Sequence, residues 1–205
     1  MSSMSRSRGR GVTLIELIVF IVIVGVAMAG LFAAFDTITK ASADPQVRKQ
    51  VLAIAESLMD EIMLKPFTIC DPDDPNAAAA TAAGDCTGLA GGPNDESRLV
   101  LGQLGPETGA SVGGAEGRYA SPQFDNVSDY HGFTMLAGIH DIANPVLTIP
   151  GLDAYKVTNI SITQAGLGGI PAAAALLISI TVTGPGGVTM TLEGYRTRYA
   201  PNTLP

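Results

Sequence analysis

The sequence predicts an α+β fold: a long N-terminal α-helix, hydrophobic in its first half and amphipathic in its second, packed on a C-terminal antiparallel β-sheet. Three observations carry this expectation. Leu17 to Phe35 is a run of nineteen residues without a charge, close to the roughly 20 apolar residues that cross a bilayer as a helix. Val47, Val51, Ile54, Ala55, Leu58 and Ile62 recur at helical spacing, an apolar stripe along one face. Ile178, Ile180 and Val182 alternate with Ser179, Thr181 and Thr183, the pattern of a strand with one buried face. The chain divides accordingly into a basic N-terminal segment at 1–11, an apolar helix at 12–36, an amphipathic helix at 37–66 and a globular head at 67–205. The head begins with an irregular loop at 67–117.

The N-terminal segment holds the sharpest signal. Arg6, Arg8 and Arg10 should stay on the cytoplasmic side of a membrane. Glu16 is a lone carboxylate at the mouth of the apolar run, and an ionisable group there marks a functional site because it is costly unless paired. Cleavage after Gly11 would create a partner at the same depth, the α-ammonium of Val12. A basic leader ending in Gly11, followed by Val12-Thr13-Leu14-Ile15-Glu16 and an unbroken apolar helix, resembles the class III signal of type IV pilins and pseudopilins. That resemblance implies cutting after Gly11 by a prepilin peptidase and N-methylation of Val12. It also implies a single-pass anchor in the inner membrane with a periplasmic head. The helix would later pack among those of other major and minor pilins, in a pilus at the cell surface. Glu16 takes the family's filament-assembly position; Val12 departs from the usual Phe or Met.

Two plainer readings compete. Ala27-Met28-Ala29 could end an ordinary secretory signal cut before Gly30, releasing a soluble binding domain. Against this, Glu16 lies inside the would-be apolar core, and the run continues through Leu31, Phe32 and Phe35 beyond the cut. A plain membrane anchor gives no reason for Gly11 and Glu16 at their spacing.

Twelve basic and 19 acidic side chains give a net charge of −7. Without the leader's three arginines the balance is 9 against 19, or −10. Such an acidic chain argues against nucleic acid as a partner, which needs basic patches. Cys70 and Cys86 are the two cysteines. On the far side of the membrane they would meet an oxidising compartment, where a pair sixteen positions apart reads as one loop-closing disulfide. A metal site would want further Cys or His ligands nearby.

Asp44-Pro45 can open a new helix or bend one long helix. Arg48, Lys49, Glu56, Asp60 and Glu61 lie off the apolar stripe, and Pro66 should end the helix after Lys65. Glycines, prolines and alanines then dominate as far as Gly117, with a short strand conceivable at Ser97–Gln103. Val157–Thr163 is rich in β-branched residues. Gly184-Pro185-Gly186-Gly187 turns the chain into a second alternating run at Val188, Met190 and Leu192. Glu193-Gly194 should interrupt it before Tyr195–Tyr199 resumes, giving an antiparallel hairpin or meander.

Three stretches sharpen the resemblance: Ala55–Ile62 running into Lys65-Pro66-Phe67 and Cys70-Asp71-Pro72, then Phe124–Phe133, then Gly186-Gly187-Val188 with Leu192-Glu193-Gly194-Tyr195-Arg196-Thr197-Arg198-Tyr199. Together with the leader they are similar to the D-type minor prepilins of the mannose-sensitive haemagglutinin (MSHA) pilus, with type II secretion minor pseudopilins the nearest confusion. The resemblance implies an assembly subunit, not an enzyme. Gly109-Ala110-Ser111-Val112-Gly113 matches a serine-hydrolase motif, but its Gly-rich flanks offer no strand before or helix after. His131 and His140 fit no ligand spacing. Asp125, Asn126 and Asp129 are weak candidates for calcium, which some pseudopilins hold in their C-terminal region. The bland account makes them an Asx-type turn, like Asp71, Asp73 and Asp74; no cofactor is otherwise expected.

Overall fold

The computed structural model describes residues 12–88, 95–96, 104–107 and 115–202. One helix, α1 (Leu14–Met63), runs through Pro45 without ending, so Asp44-Pro45 does not start a second element. Thr13 opens it: its Oγ1 accepts the N–H of Glu16 at 3.3 Å, satisfying one of the donors a helix start leaves orphaned. α1 stops at Met63, two residues short of the expected Lys65. The Lys65 N–H turns back to the Ile62 carbonyl at 3.0 Å, the tightened bond of a last turn. Pro66 disfavours helical backbone at the residue before it, which accounts for the early release.

By its internal contacts the chain forms two units, residues 1–45 and 46–205. In the first, the described side chains of α1 are exposed on every face. In the second, the expected stripe is the core face: Val51, Ile54, Ala55, Leu58 and Ile62 are buried and Val47 is half-buried.

Two sheets follow. The smaller pairs β1 (His140–Asp141) with β2 (Asn144–Thr148). The sequence reading did not foresee this hairpin, whose second strand is mostly exposed and contains Pro145, so no alternation marked it. The larger is an antiparallel meander of β3 (Lys156–Gln164), β4 (Ala175–Thr183) and β5 (Thr189–Thr197). Ile160 pairs with Ile180, and Ile180 with Leu192, so same-face residues line up across the strands. Ile160, Ile162, Ile178, Ile180 and Val182 close the core against α1. The α+β class stands as read.

One expectation is corrected. β5 passes through Glu193-Gly194 without a break, with Gly194 opposite Ile178. A Cβ at Gly194 would come within 3.0 Å of the Met59 Sδ. The glycine lets the helix approach rather than ending the strand.

The described part of the 67–117 loop is irregular, with one 3₁₀ turn at Ala83–Asp85. Its alanines are not all filler: Ala77 and Ala80 join Ile69, Cys70 and Cys86 in a small satellite core. The possible strand at 97–103 lies outside the described residues.

Candidate functional site

The N-terminal half of α1 is the first candidate. Leu14–Asp36 is long and apolar enough to cross a membrane, and none of it is buried within the chain. Val12 is exposed, and Gly11 lies outside the described residues. Glu16 sits in the first turn, where the helix dipole favours a negative charge. Thr13-Leu14-Ile15-Glu16 has the spacing of a capping box, and the Thr13 half of that box is formed. Glu16 is exposed in that first turn. Beyond the helix's own backbone, nothing described lies within 4 Å of the position a Cβ would take at Gly25 or Gly30.

The head supplies the remaining sites. Cys70 and Cys86 form a disulfide, their Cα atoms 5.4 Å apart. Around it, Asp71 Oδ1 accepts the Asp73 N–H at 2.6 Å and Asp74 Oδ1 the Asn76 N–H at 2.7 Å. Asp74 Oδ2 also takes the Thr87 N–H at 2.7 Å. Asn202 donates to the Ala77 and Ala80 carbonyls at 3.0 and 2.8 Å. The loop is tied down from both ends of the head sequence.

At the weak calcium candidates, Asp129 Oδ2 accepts the N–H groups of Asp125 and Asn126 at 2.9 and 2.7 Å, which is turn chemistry. The Asn126 amide donates to Thr68 Oγ1 at 2.7 Å, so its donor end is committed elsewhere. The other oxygens of these two aspartates behave differently: Asp125 Oδ1 and Asp129 Oδ1 are buried without a hydrogen-bond partner among the described residues. Burial, with neighbouring carboxylates, raises Asp125 to about 7 and lifts Asp129 well above its ordinary value. Phe124 meets Tyr130 and Phe133 edge-on, with centroids 4.9 and 5.9 Å apart. His131 is structural: its Nδ1 accepts the Ile162 N–H at 3.0 Å. His140 lies in β1, and its carbonyl accepts from Arg118 Nη1 at 3.3 Å. Gly109–Gly113 lies outside the described residues.

Sequence reasoning missed a part-buried ion pair. Arg118 holds Glu61 with two bonds, Nε to Oε1 at 2.8 Å and Nη2 to Oε2 at 2.7 Å. Tyr130 Oη donates to the same Oε1 at 2.8 Å. Arg118 also bonds the Tyr119 hydroxyl and lies 5.0 Å from that ring's centre. Partners 57 positions apart leave no local pattern to read.

Residues 6–32 match the family model described as the prokaryotic N-terminal methylation motif. The match covers most of the basic leader and most of the apolar half of α1, and stops short of the head. No curated protein and no solved structure matches the chain. The methylation motif supports a type IV pilin-like protein, with a class III signal followed by an apolar helix.

Proposed function

We propose that this chain is a structural subunit of a type IV pilin-like filament, and that it acts by assembly rather than catalysis. A prepilin peptidase cleaves after Gly11 and Val12 becomes the N-methylated terminus. α1 holds the subunit in the inner membrane with its head in the periplasm, until the helix transfers into a bundle of like helices. The observation that carries this is the methylation motif at 6–32 running into the first half of α1, whose described side chains as far as Asp36 are all exposed. Such a surface needs lipid or other helices to cover it. Gly25 and Gly30 suit close helix approach, and Glu16 pairs with the terminal ammonium of a neighbouring subunit.

The finer reading is a minor subunit of an MSHA-type pilus, entering the filament or its tip. It rests on the head stretches at 55–72, 124–133 and 192–199, which also resemble minor pseudopilins of type II secretion. Mass spectrometry of sheared surface filaments tests it: peptides of the chain at sub-stoichiometric levels among pilus subunits are expected. Their confinement to the cell envelope beside secretion components would favour the pseudopilin.

The main reading is tested by the intact mass and first residue of the protein recovered from membranes. N-methylated Val12 is the expected outcome. A start at Gly30 would make most of the apolar helix a discarded signal, and an intact Met1 would leave a plain anchor.

A further inference from the structure

The loops between α1 and the meander gather carboxylates from distant points of the sequence. Asp71, Asp73, Glu116 and Asp125 each offer an oxygen within 4.8 Å of the others. Glu107, Glu116 and Asp129 do the same, and so do Asp71, Glu96 and Glu107. The three groups share members, so they form one continuous patch of seven acids. Asp73 is exposed and Asp125 half-buried; the other five are buried.

Glu116 separates this patch from an ordinary acidic surface. It is 8 % exposed, and neither carboxylate oxygen has a hydrogen-bond partner among the described residues. The groups beside it are themselves carboxylates, Glu107 and Asp129 among them, which could bond it only through a shared proton. Asp129 adds a second oxygen of the same kind: Oδ2 is held by two backbone amides while Oδ1 is buried and unpartnered among the described residues. Burial and the charges of Asp129, Asp125 and Asp71 push Glu116 up to about 8. A buried carboxylate without a bond or counter-charge is costly, and two remedies exist: a proton or a metal cation.

We propose that the patch binds calcium, with Glu116 and Asp129 at its centre and Asp71, Asp73, Glu107 and Asp125 around them. The donors are hard oxygens, with no sulfur or imidazole among them, which suits calcium or magnesium and disfavours softer metals. Calcium's ligands lie about 2.3–2.6 Å from the ion, so its shell spans about 5 Å, matching the spread of these oxygens. Irregular loops suit its loose geometry better than magnesium's octahedron. The site takes in Asp125 and Asp129 of the sequence candidates and adds Asp71, Asp73, Glu107 and Glu116; it does not depend on the filament reading.

The test uses the full-length chain in detergent, stripped with a chelator and titrated with calcium chloride while binding heat and melting temperature are followed. Saturable binding and a rise in melting temperature of several degrees are expected. Glu116→Gln and Asp129→Asn should abolish both, and Asp73→Asn should weaken binding by about tenfold through lost ligand charge. Asp73 is exposed, so that variant reports on binding even if the buried substitutions misfold. Glu116→Gln relieves like-charge repulsion, so its metal-free melting temperature should equal or exceed that of the unsubstituted chain. Absence of calcium binding by the folded protein would overturn the site. So would binding that survives all three substitutions, or magnesium binding of equal strength.

Discussion

At the residue scale, Arg118 and Glu61 decide most. Burial alone would raise the Glu61 carboxyl, yet the Arg118 hydrogen bond and charge, with the Tyr130 hydroxyl, hold it below its ordinary value. Removing one partner of a buried pair leaves the other uncompensated, at about 3–5 kcal/mol when burial is complete. Glu61 keeps 19 % of its side chain exposed, so Arg118→Met should lose about 2–3 kcal/mol at neutral pH. The sign with pH follows from the lowered value. Folded Glu61 binds fewer protons than unfolded Glu61, so its contribution is present above the ordinary carboxylate range and fades as pH falls through the folded value. Urea unfolding midpoints from pH 7 to 3 should therefore show Arg118→Met and the unsubstituted chain converging at the acid end; a gap that stays constant would show that lost packing, not charge, is responsible. Little of this could be read from the sequence. Glu61 neighbours Ile62 on the helix but lies off the apolar stripe, because helical spacing ranks a position by its own element and not by what another loop brings to it. Glu16 at the mouth of the apolar run, by contrast, was legible, since its place in the first turn of α1 follows from the order of residues within one element.

At the element scale, the apolar stripe of α1 and the alternation in β4 were readable because burial on one face writes a period into the sequence. The continuity of β5 was not, since a glycine in a strand signals equally a break or a close approach. Two glycines facing α1, Gly184 just after β4 and Gly194 within β5, make this testable. A Cβ at Gly184 would lie 2.8 Å from Val51 Cγ2, 2.9 Å from Val47 Cγ1 and 3.0 Å from Tyr155 Cε1. Valine side chains have little rotamer freedom in a helix, so helix and sheet must shift; Gly184→Ala should cost about 1–3 kcal/mol. Gly194→Ala meets the flexible end of Met59, which can swing aside, and should cost under about 1 kcal/mol. Thermal melts of the two variants should rank in that order, and the reverse ranking would mean the helix sits differently on the sheet. The disulfide belongs to the same scale. The Cys70→Ser, Cys86→Ser double variant frees a sixteen-residue closure and should lose about 3 kcal/mol by chain entropy. Susceptibility to protease at 71–85 should rise with it, because the satellite core of Ile69, Ala77 and Ala80 is too small to hold that loop by itself.

At the scale of the whole molecule, the two units rest on different physics. The head has an interior of its own, while the described side chains of α1 before Pro45 find no cover within the chain. The function was legible where the sequence must satisfy an outside partner: the arginines, Gly11 and Glu16 stand in a fixed order that a peptidase and a neighbouring helix would both read. The carboxylate patch was only half legible, because Glu96, Glu107 and Glu116 reach Asp125 and Asp129 through folding alone. The final prediction tests Glu16 against both parts of its setting. Glu16→Ala keeps the apolar run of α1, so insertion in the membrane should be unchanged, and it leaves Gly11 and Val12 intact, so cleavage should proceed. What it removes is the anion that would meet a neighbour's terminal ammonium in a low-dielectric bundle, where an unpaired charge costs several kcal/mol. Filament incorporation, measured by co-expressing tagged variant and unsubstituted chain and comparing sheared filaments with membranes, should fall by tenfold or more, about 1.4 kcal/mol at least. Glu16→Gln should fail similarly, since it keeps the shape and loses the charge. If both variants enter filaments at the level of the unsubstituted chain, the carboxylate serves only to open the helix and packing of the apolar surface alone drives assembly.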